Sequence, residues 1–342
     1  MAANDPDRDP FGEQSSGKWR LRRQLLGGRF LFTSNSRRLL RLVDSAYRDL
    51  PAGRPTGPVP AFEIELRLTA APTLRGAGTP PALRTFAGPG QLLGGIMNAG
   101  NFVLLSPAAR AGLVAVSRDM LALDYHVRYE LIEFAAFTLA SRAQRLLSLH
   151  AACVGRAGRG LLLMGSSGAG KSTLALHCAL QGLEFLSEDA AFLDADRLLA
   201  TGVPNFVHVR PESVSLIENP ASAARIRRSP MIRRRSGVAK LEVDVRRLGC
   251  PLARAPLDLA AVVFLSSGRA GTAARLVLLP PRELWRRFMA AQPYATRLPG
   301  WRAFRQRIGS VQGFELRRGR HPSESVVALN HILEQPGRRG AA

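Results

Sequence analysis

The sequence predicts an α/β protein: a mixed-sheet domain carrying a phosphate-binding P-loop, preceded by an N-terminal α/β module. Three observations carry this expectation. In the second half of the chain, short apolar runs alternate with segments of helical spacing. The octapeptide Gly165-Ser166-Ser167-Gly168-Ala169-Gly170-Lys171-Ser172 follows the apolar run Leu161 to Met164 and opens a helical segment, the strand–loop–helix setting in which G-x-x-x-x-G-K-[ST] has a mechanism. The chain has 342 residues, 46% of them hydrophobic, enough for one large core or two ordinary ones.

Taken in order, residues 1–17 are rich in Asp, Pro, Gly and Ser and are expected to be disordered, as is the tail 336–342. An accessory module is expected over 18–125 and the P-loop domain over 126–335. Trp19 to Thr33 has strand character, and Ser36 is placed to N-cap an amphipathic helix that ends before Pro51. Ala61 to Leu68 alternates apolar and polar like a half-exposed strand, whereas the Gly/Pro-rich stretch 71–95 reads as loop. Asn101 to Leu105 and Leu113 to Val116 are short strand candidates. Val127 to Leu147 repeats apolar residues at helical spacing (Leu131, Phe134, Ala135, Leu139) and is expected to join the two domains.

Leu149 to Val154 and Gly160 to Met164 read as a hairpin leading into the glycine-rich loop. The helix after Lys171 places Leu174, Ala175, Cys178 and Ala179 on one face and stops at Gly182, a suitable C′ residue. Leu183 to Leu186 makes the next strand and delivers Glu188 and Asp189 to its end. Further strands are expected at 206–209, 241–245, 261–266 and 274–279, with helices at 282–290 and 323–333. Trp285 and Phe288, at helical spacing, read as core.

The loop explains itself chemically. Its glycines let backbone N–H groups converge on phosphates, and the following helix directs its positive dipole end at them. Lys171 is placed to reach the β- and γ-phosphates of ATP, and the Ser172 hydroxyl to ligate Mg²⁺. Glu188 and Asp189 stand at the C-terminal end of a strand, the sheet edge where ligands sit in open α/β sheets. Phosphoryl transfer needs one carboxylate near the metal and, in a kinase, another near the attacking hydroxyl, so two adjacent acids could divide those tasks.

Ser148-Leu149-His150-Ala151, the hairpin, the GSSGAGKST loop and Gly182-Leu183-Glu184-Phe185-Leu186-Ser187-Glu188-Asp189 together resemble the catalytic domain of HPr kinase/phosphorylase and the broader group of HPr-kinase-related serine kinases. The resemblance covers about 45 residues, Leu147 to Leu193, and extends more weakly over His208 to Ile217. It implies a phosphoenolpyruvate-carboxykinase-like P-loop fold and an ATP- and Mg²⁺-dependent kinase acting on a serine hydroxyl of a protein or peptide. Carried over by position, it assigns Gly165, Ser166, Ser167, Gly168, Ala169, Gly170, Lys171, Ser172 and Thr173 to the nucleotide, with His150 shaping the phosphate site. It further assigns Glu188 as the base that activates the acceptor, and Asp189 as its companion on the metal side with Ser172. Glu188 stands where the family commonly has aspartate, and the Arg-Gly signature of the phosphorylases is not readable near His208 and Pro211.

A net charge of +22 raises nucleic acid as a partner, but lysine occurs only at Lys18, Lys171 and Lys240 and the arginines are spread along the chain, without the aromatic interleaving that single-strand binding uses. One cluster stands out: Arg225, Arg227, Arg228, Arg233, Arg234 and Arg235 read as a solvated loop able to dock an acidic partner. Lys240 is a further candidate for contact with substrate or phosphate. Cys153, Cys178 and Cys250 form no C-x-x-C pair, and the six histidines lack ligand spacing. The apolar runs are too short to span a bilayer and Met1 to Gly17 is not signal-like, so a cytoplasmic protein is expected. The expected partner is an acceptor protein or peptide, HPr-like or a modified precursor, with homo-oligomerisation compatible. Two other readings stay open: a non-kinase P-loop ATPase or regulatory module, and a small-molecule kinase or carboxykinase-like enzyme.

Overall fold

A computed structural model describes residues 17–51, 59–70, 74, 79–269 and 273–335. Of the terminal segments expected to be disordered, 1–16 and 336–342 lie outside the described residues. The chain divides into two compact units, the first ending at Ala140 and the second running from Ser141 onward and including Gln24–Gly27.

The first unit is a seven-stranded mixed sheet in the order β1-β2-β3-β7-β6-β5-β4. Its strands are β1 (Trp19–Leu25), β2 (Gly28–Ser34), β3 (Ala61–Thr69), β4 (Arg84–Ala87), β5 (Leu93–Asn98), β6 (Asn101–Ser106) and β7 (Ala111–Ser117). β3 runs parallel to both β2 and β7, and β7-β6-β5-β4 is an antiparallel meander. Period-2 patterning buries Phe62, Ile64 and Leu66 of β3. Helix α1 (Arg37–Tyr47) buries Leu39, Leu42, Val43, Ala46 and Tyr47 at helical spacing; Ser36 is its N-cap residue but makes no side-chain cap hydrogen bond. The expected loop 71–95 contains β4 and the start of β5, because Gly94 and Gly95 pair in register despite their low strand propensity: Phe86 lies over the one and Leu83 over the other. The helical run α2 (Asp124–His126), a π-helical turn (Val127–Glu133) and α3 (Phe134–Ala143) begins against α1 and β7. The division between units therefore falls after Ala140, beyond the 125/126 boundary read from the sequence.

The second unit holds a nine-stranded mixed sheet. β8 (Leu147–Leu149), β9 (Ala152–Arg156) and β10 (Arg159–Met164) enter it, followed by helix α4 (Lys171–Leu180) and strands β11 (Glu184–Ser187), β12 (Ala191–Asp194) and β13 (Leu199–Thr201). A separate three-stranded antiparallel sheet, order β14-β16-β15, comprises β14 (Phe206–Val209), β15 (Met231–Arg233) and β16 (Ala239–Asp244), with helix α5 (Pro220–Arg227) before β15. The main sheet resumes with β17 (Leu257–Arg269) and β18 (Arg275–Leu279), then helices α6 (Pro281–Ala291) and α7 (Trp301–Arg307), β19 (Gln312–Arg318) and helix α8 (Pro322–Glu334). β17 runs parallel to β10 on one side and to β19 on the other, so the C-terminal ends of all three share one edge.

Alternation along β10 splits the core into two layers. Leu161 and Leu163 pack with α4 and α8 residues, whereas Leu162 and Met164 pack with α6 and α7 residues, Phe288 and Phe304 among them. All four β10 side chains are fully buried, each contributing about 1.5–3 kcal/mol relative to exposure, which fixes the strand that launches the loop. The strand expected from Leu149 to Val154 is broken at His150-Ala151, because β8 pairs with β12 while β9 pairs with β10 and the chain changes partners between them. The arginine cluster is not one loop: Arg225 and Arg227 end α5, Arg233 ends β15, and Arg234 and Arg235 lie in the turn to β16. No helix among the described residues is long and apolar enough to cross a membrane.

Candidate functional site

The glycine-rich loop joins β10 to α4, and Gly170, the N-cap residue of α4, has a left-handed backbone with φ 94°. A side chain there would be strained, and its Cβ would lie 3.1 Å from Nη1 of Arg318. The first-turn N–H groups of α4 have no partner inside the helix and open towards the cleft. Lys171 Nζ donates to the carbonyls of Gly165 (2.7 Å) and Ser166 (3.3 Å), so the ammonium lies across the loop. Burial lowers the Lys171 pKa, and Asp189 and Glu188 oppose that effect. Ala169 is buried in the core.

The two acids occupy different surroundings. Glu188, at the end of β11, is 6% exposed and accepts a hydrogen bond from Ser172 Oγ at 2.5 Å on Oε1. Its Oε2 faces Nδ1 of His208 at 2.9 Å, and Nε2 of the same ring faces Glu242 Oε1 at 3.2 Å. The register of β14 against β16 sets His208 directly opposite Glu242. With a carboxylate oxygen at each ring nitrogen, both nitrogens must donate, and the ring is an imidazolium. Burial opposes both charges but is outweighed: Glu188 holds the His208 pKa well above the ordinary histidine value, and His208, Arg234 and Ser172 hold Glu188 below the ordinary carboxylate range.

Asp189 is more open, with its side chain 22% exposed, and its Oδ1 lies 3.1 Å from Nδ1 of His150. The His150 backbone is clamped in turn. Its N–H faces Gln292 Oε1 at 3.0 Å and Tyr294 Oη at 2.8 Å, and its carbonyl accepts from Gln292 Nε2 at 3.0 Å. The chain's change of sheet partner at His150-Ala151 thus frees the imidazole to face the acid pair. Arg234 approaches both acids, 3.9 Å from Glu188 and 3.7 Å from Asp189.

One cleft of about 320 Å³ is lined by His150, Lys171, Ser172, Thr173, Glu188 and Asp189. Its walls also carry Ser167, Gly168 and Gly170, whereas Gly165 and Ser166 meet the site through the carbonyls that accept from Lys171. Sequence reasoning missed Arg210, Glu242, Gln292, Tyr294, Arg318 and Arg320. Of these, Arg210, Arg318 and Arg320 line the cleft. Lys240 lines it too, donating to the His208 carbonyl at 3.4 Å. Among the described residues no group of three or more His, Cys, Asp or Glu side chains has metal-ligand geometry.

No family model matches this chain. No curated protein matches it either. Among solved structures it is similar to the Hpr(Ser) kinase/phosphatase from Coxiella burnetii, at 13% identity and a TM-score of 0.27, over 55% of this chain and 97% of that one. A likeness of that size carries no weight, so the chemistry must be argued from the cleft itself.

Proposed function

We propose that the second unit is an ATP-dependent kinase that transfers the γ-phosphoryl group to a hydroxyl, that of a serine in a protein or peptide. The observation that carries this reading is the hydrogen bond from Ser172 to Glu188 at the mouth of the glycine-rich loop, with a second, more open carboxylate, Asp189, beside it. A loop that only held a nucleotide would need the first carboxylate. The second has a use when a hydroxyl must lose its proton.

The Ser172 hydroxyl and the Glu188 carboxylate are hard oxygen donors that touch each other, and Mg²⁺ is commonly held by one or two such protein ligands together with substrate phosphates. These two residues would hold the ion, which when bound would neutralise charge on the phosphates. This exchanges the roles that position alone suggested. Glu188, locked between Ser172 and the His208 imidazolium, is a poor proton acceptor. Asp189, facing the cleft next to His150, accepts the proton of the acceptor hydroxyl. Lys171 and the N–H groups at the start of α4 bind the phosphate chain, and Arg234 keeps positive charge beside both acids.

The test incubates the full chain, Mg²⁺ and γ-labelled ATP with candidate acceptor peptides and proteins. Label should appear on a hydroxyl, and Lys171→Ala should abolish transfer and greatly weaken ATP binding while circular dichroism stays unchanged. Unaltered ATP affinity in a folded Lys171→Ala variant would remove the nucleotide assignment; ATP hydrolysis without transfer to any acceptor would favour an ATPase.

A further inference from the structure

We propose that Arg318 binds the triphosphate of the nucleotide, reaching over the glycine-rich loop from a strand two places away in the sheet. The inference rests on the nucleotide reading of the cleft and adds a residue to it.

Three features of the fold converge on this side chain. β10 leads into the loop, and β19, parallel to β17 as β17 is to β10, ends at Arg318; both termini therefore reach the same sheet edge. That edge is where α/β sheets bind ligands. The chain after Arg318 is pinned. A Cβ at Gly319 would overlap the Glu324 carboxylate and come 2.7 Å from the Ala274 nitrogen. Glu324 is held in turn by the N–H groups of Ala274 (3.1 Å) and His321 (3.4 Å), the latter part of the capping box that starts α8. Arg318 is thus presented from fixed backbone.

Its surroundings lack the partner a guanidinium normally has. The adjacent Arg317 reaches Glu315 at 3.2 Å. Arg318 makes no ion pair among the described residues, and its Nε is buried without a hydrogen-bond partner. Its Nη1 lies over Gly170, where a side chain would crowd it. A buried donor left unsatisfied is costly, and an anion at the start of α4 would satisfy it. Phosphate suits the site because the guanidinium fork can engage two oxygens at once, and the start of α4, beside Arg318 Nη1, favours negative charge.

The test measures Mg·ATP binding by titration calorimetry for the full chain and its variants. Arg318→Gln should bind Mg·ATP at least about tenfold more weakly, the loss expected for one charge-assisted contact. Its thermal unfolding midpoint should not fall, because no protein partner is lost. Arg318→Lys should recover only part of the affinity, since an ammonium is a point charge without the fork. Arg317→Gln, an exposed neighbour on β19 that pairs with Glu315 and does not line the cleft, should stay within twofold of wild type. If the native chain binds no Mg·ATP, the nucleotide reading falls and this proposal with it. If the native chain binds, Lys171→Ala does not, and Arg318→Gln binds like wild type, Arg318 has no such role while the nucleotide reading stands. Equal losses in Arg318→Gln and Arg317→Gln would mean a diffuse positive field instead of a contact. Should Arg318→Gln not fold, wild-type affinity in Arg318→Lys would overturn the proposal.

Discussion

His208 and Glu188 form a buried ion pair 2.9 Å apart, with side chains 4% and 5% exposed. The pair joins the three-stranded sheet to the end of β11, and Glu242 at 3.2 Å closes the other side of the ring. Stability should depend on pH through it. Glu188 is held below its usual 4.5, so its contribution is present above that value and is lost as the pH falls through the folded-state pKa. His208 is raised from 6.5 to about 9, so its contribution is complete below pH 6.5 and fades as the pH rises towards 9. Urea unfolding should therefore give a plateau between these limits and a decline on either side. His208→Leu, which removes the imidazolium shared by buried Glu188 and half-buried Glu242, should cost about 3–5 kcal/mol and abolish the alkaline decline. An unchanged alkaline limb in that variant would mean that another group titrates there.

The contrast between the two acids separates their roles by kinetics. Glu188→Gln should raise the Mg²⁺ concentration needed for half-maximal rate, because it weakens a hard oxygen ligand that touches Ser172. Asp189→Asn should lower kcat by about 10²–10⁴-fold, the usual worth of a positioned proton acceptor, with Mg·ATP affinity nearly unchanged. A reversed outcome, with the transfer defect confined to Glu188→Gln, would restore the assignment that position alone suggests.

Gln292 is 1% exposed and bonds both the N–H and the carbonyl of His150. Gln292→Leu leaves the carbonyl without that donor and should cost about 1–3 kcal/mol. It should also lower transfer by letting His150 turn from Asp189, while Gln292→Glu, which keeps an acceptor for the His150 N–H, should retain more activity. Paired thermal melts and single-turnover rates distinguish the two effects; full activity in a destabilised Gln292→Leu variant would make the clamp purely structural.

What the sequence made legible was local. The loop, Lys171, Ser172 and the acid pair stand in one stretch where glycine spacing and a strand end speak for themselves, and β14 and α8 were visible in their apolar periodicity. The clamp on His150 joins residues 142 apart, and Arg318 meets Gly170 only because β19 lies two places from β10. Neither has a local signature. The different surroundings of the two acids were illegible for a related reason: adjacent residues at a strand end turn to opposite sides, and only the register of His208 against Glu242 decides which one is locked. Counting arginines likewise concealed that one of the six turns inward.

That inward residue divides the arginine cluster between two surroundings. Arg234 has its side chain 24% exposed and lies within 4.0 Å of both acids, whereas Arg225, Arg227, Arg228, Arg233 and Arg235 are exposed. Replacing Arg234 with serine removes positive charge next to Glu188 and Asp189, where burial limits screening, and should lower kcat even when acceptor is saturating. Replacing Arg233 and Arg235 with serine removes exposed charge. If an acidic acceptor docks on that turn, the double variant should raise the acceptor KM and leave kcat and ATP affinity nearly unchanged. Its defect should shrink as salt is added, because exposed charges are screened within about 10 Å at 0.1 M ionic strength. The Arg234→Ser defect should persist at the same salt concentrations. Steady-state kinetics at low and high salt for the three proteins decide the matter: identical salt dependence of the two variants would show that Arg234 belongs with the exposed arginines, and an unaltered acceptor KM in the double variant would leave the outer arginines as a solvated turn.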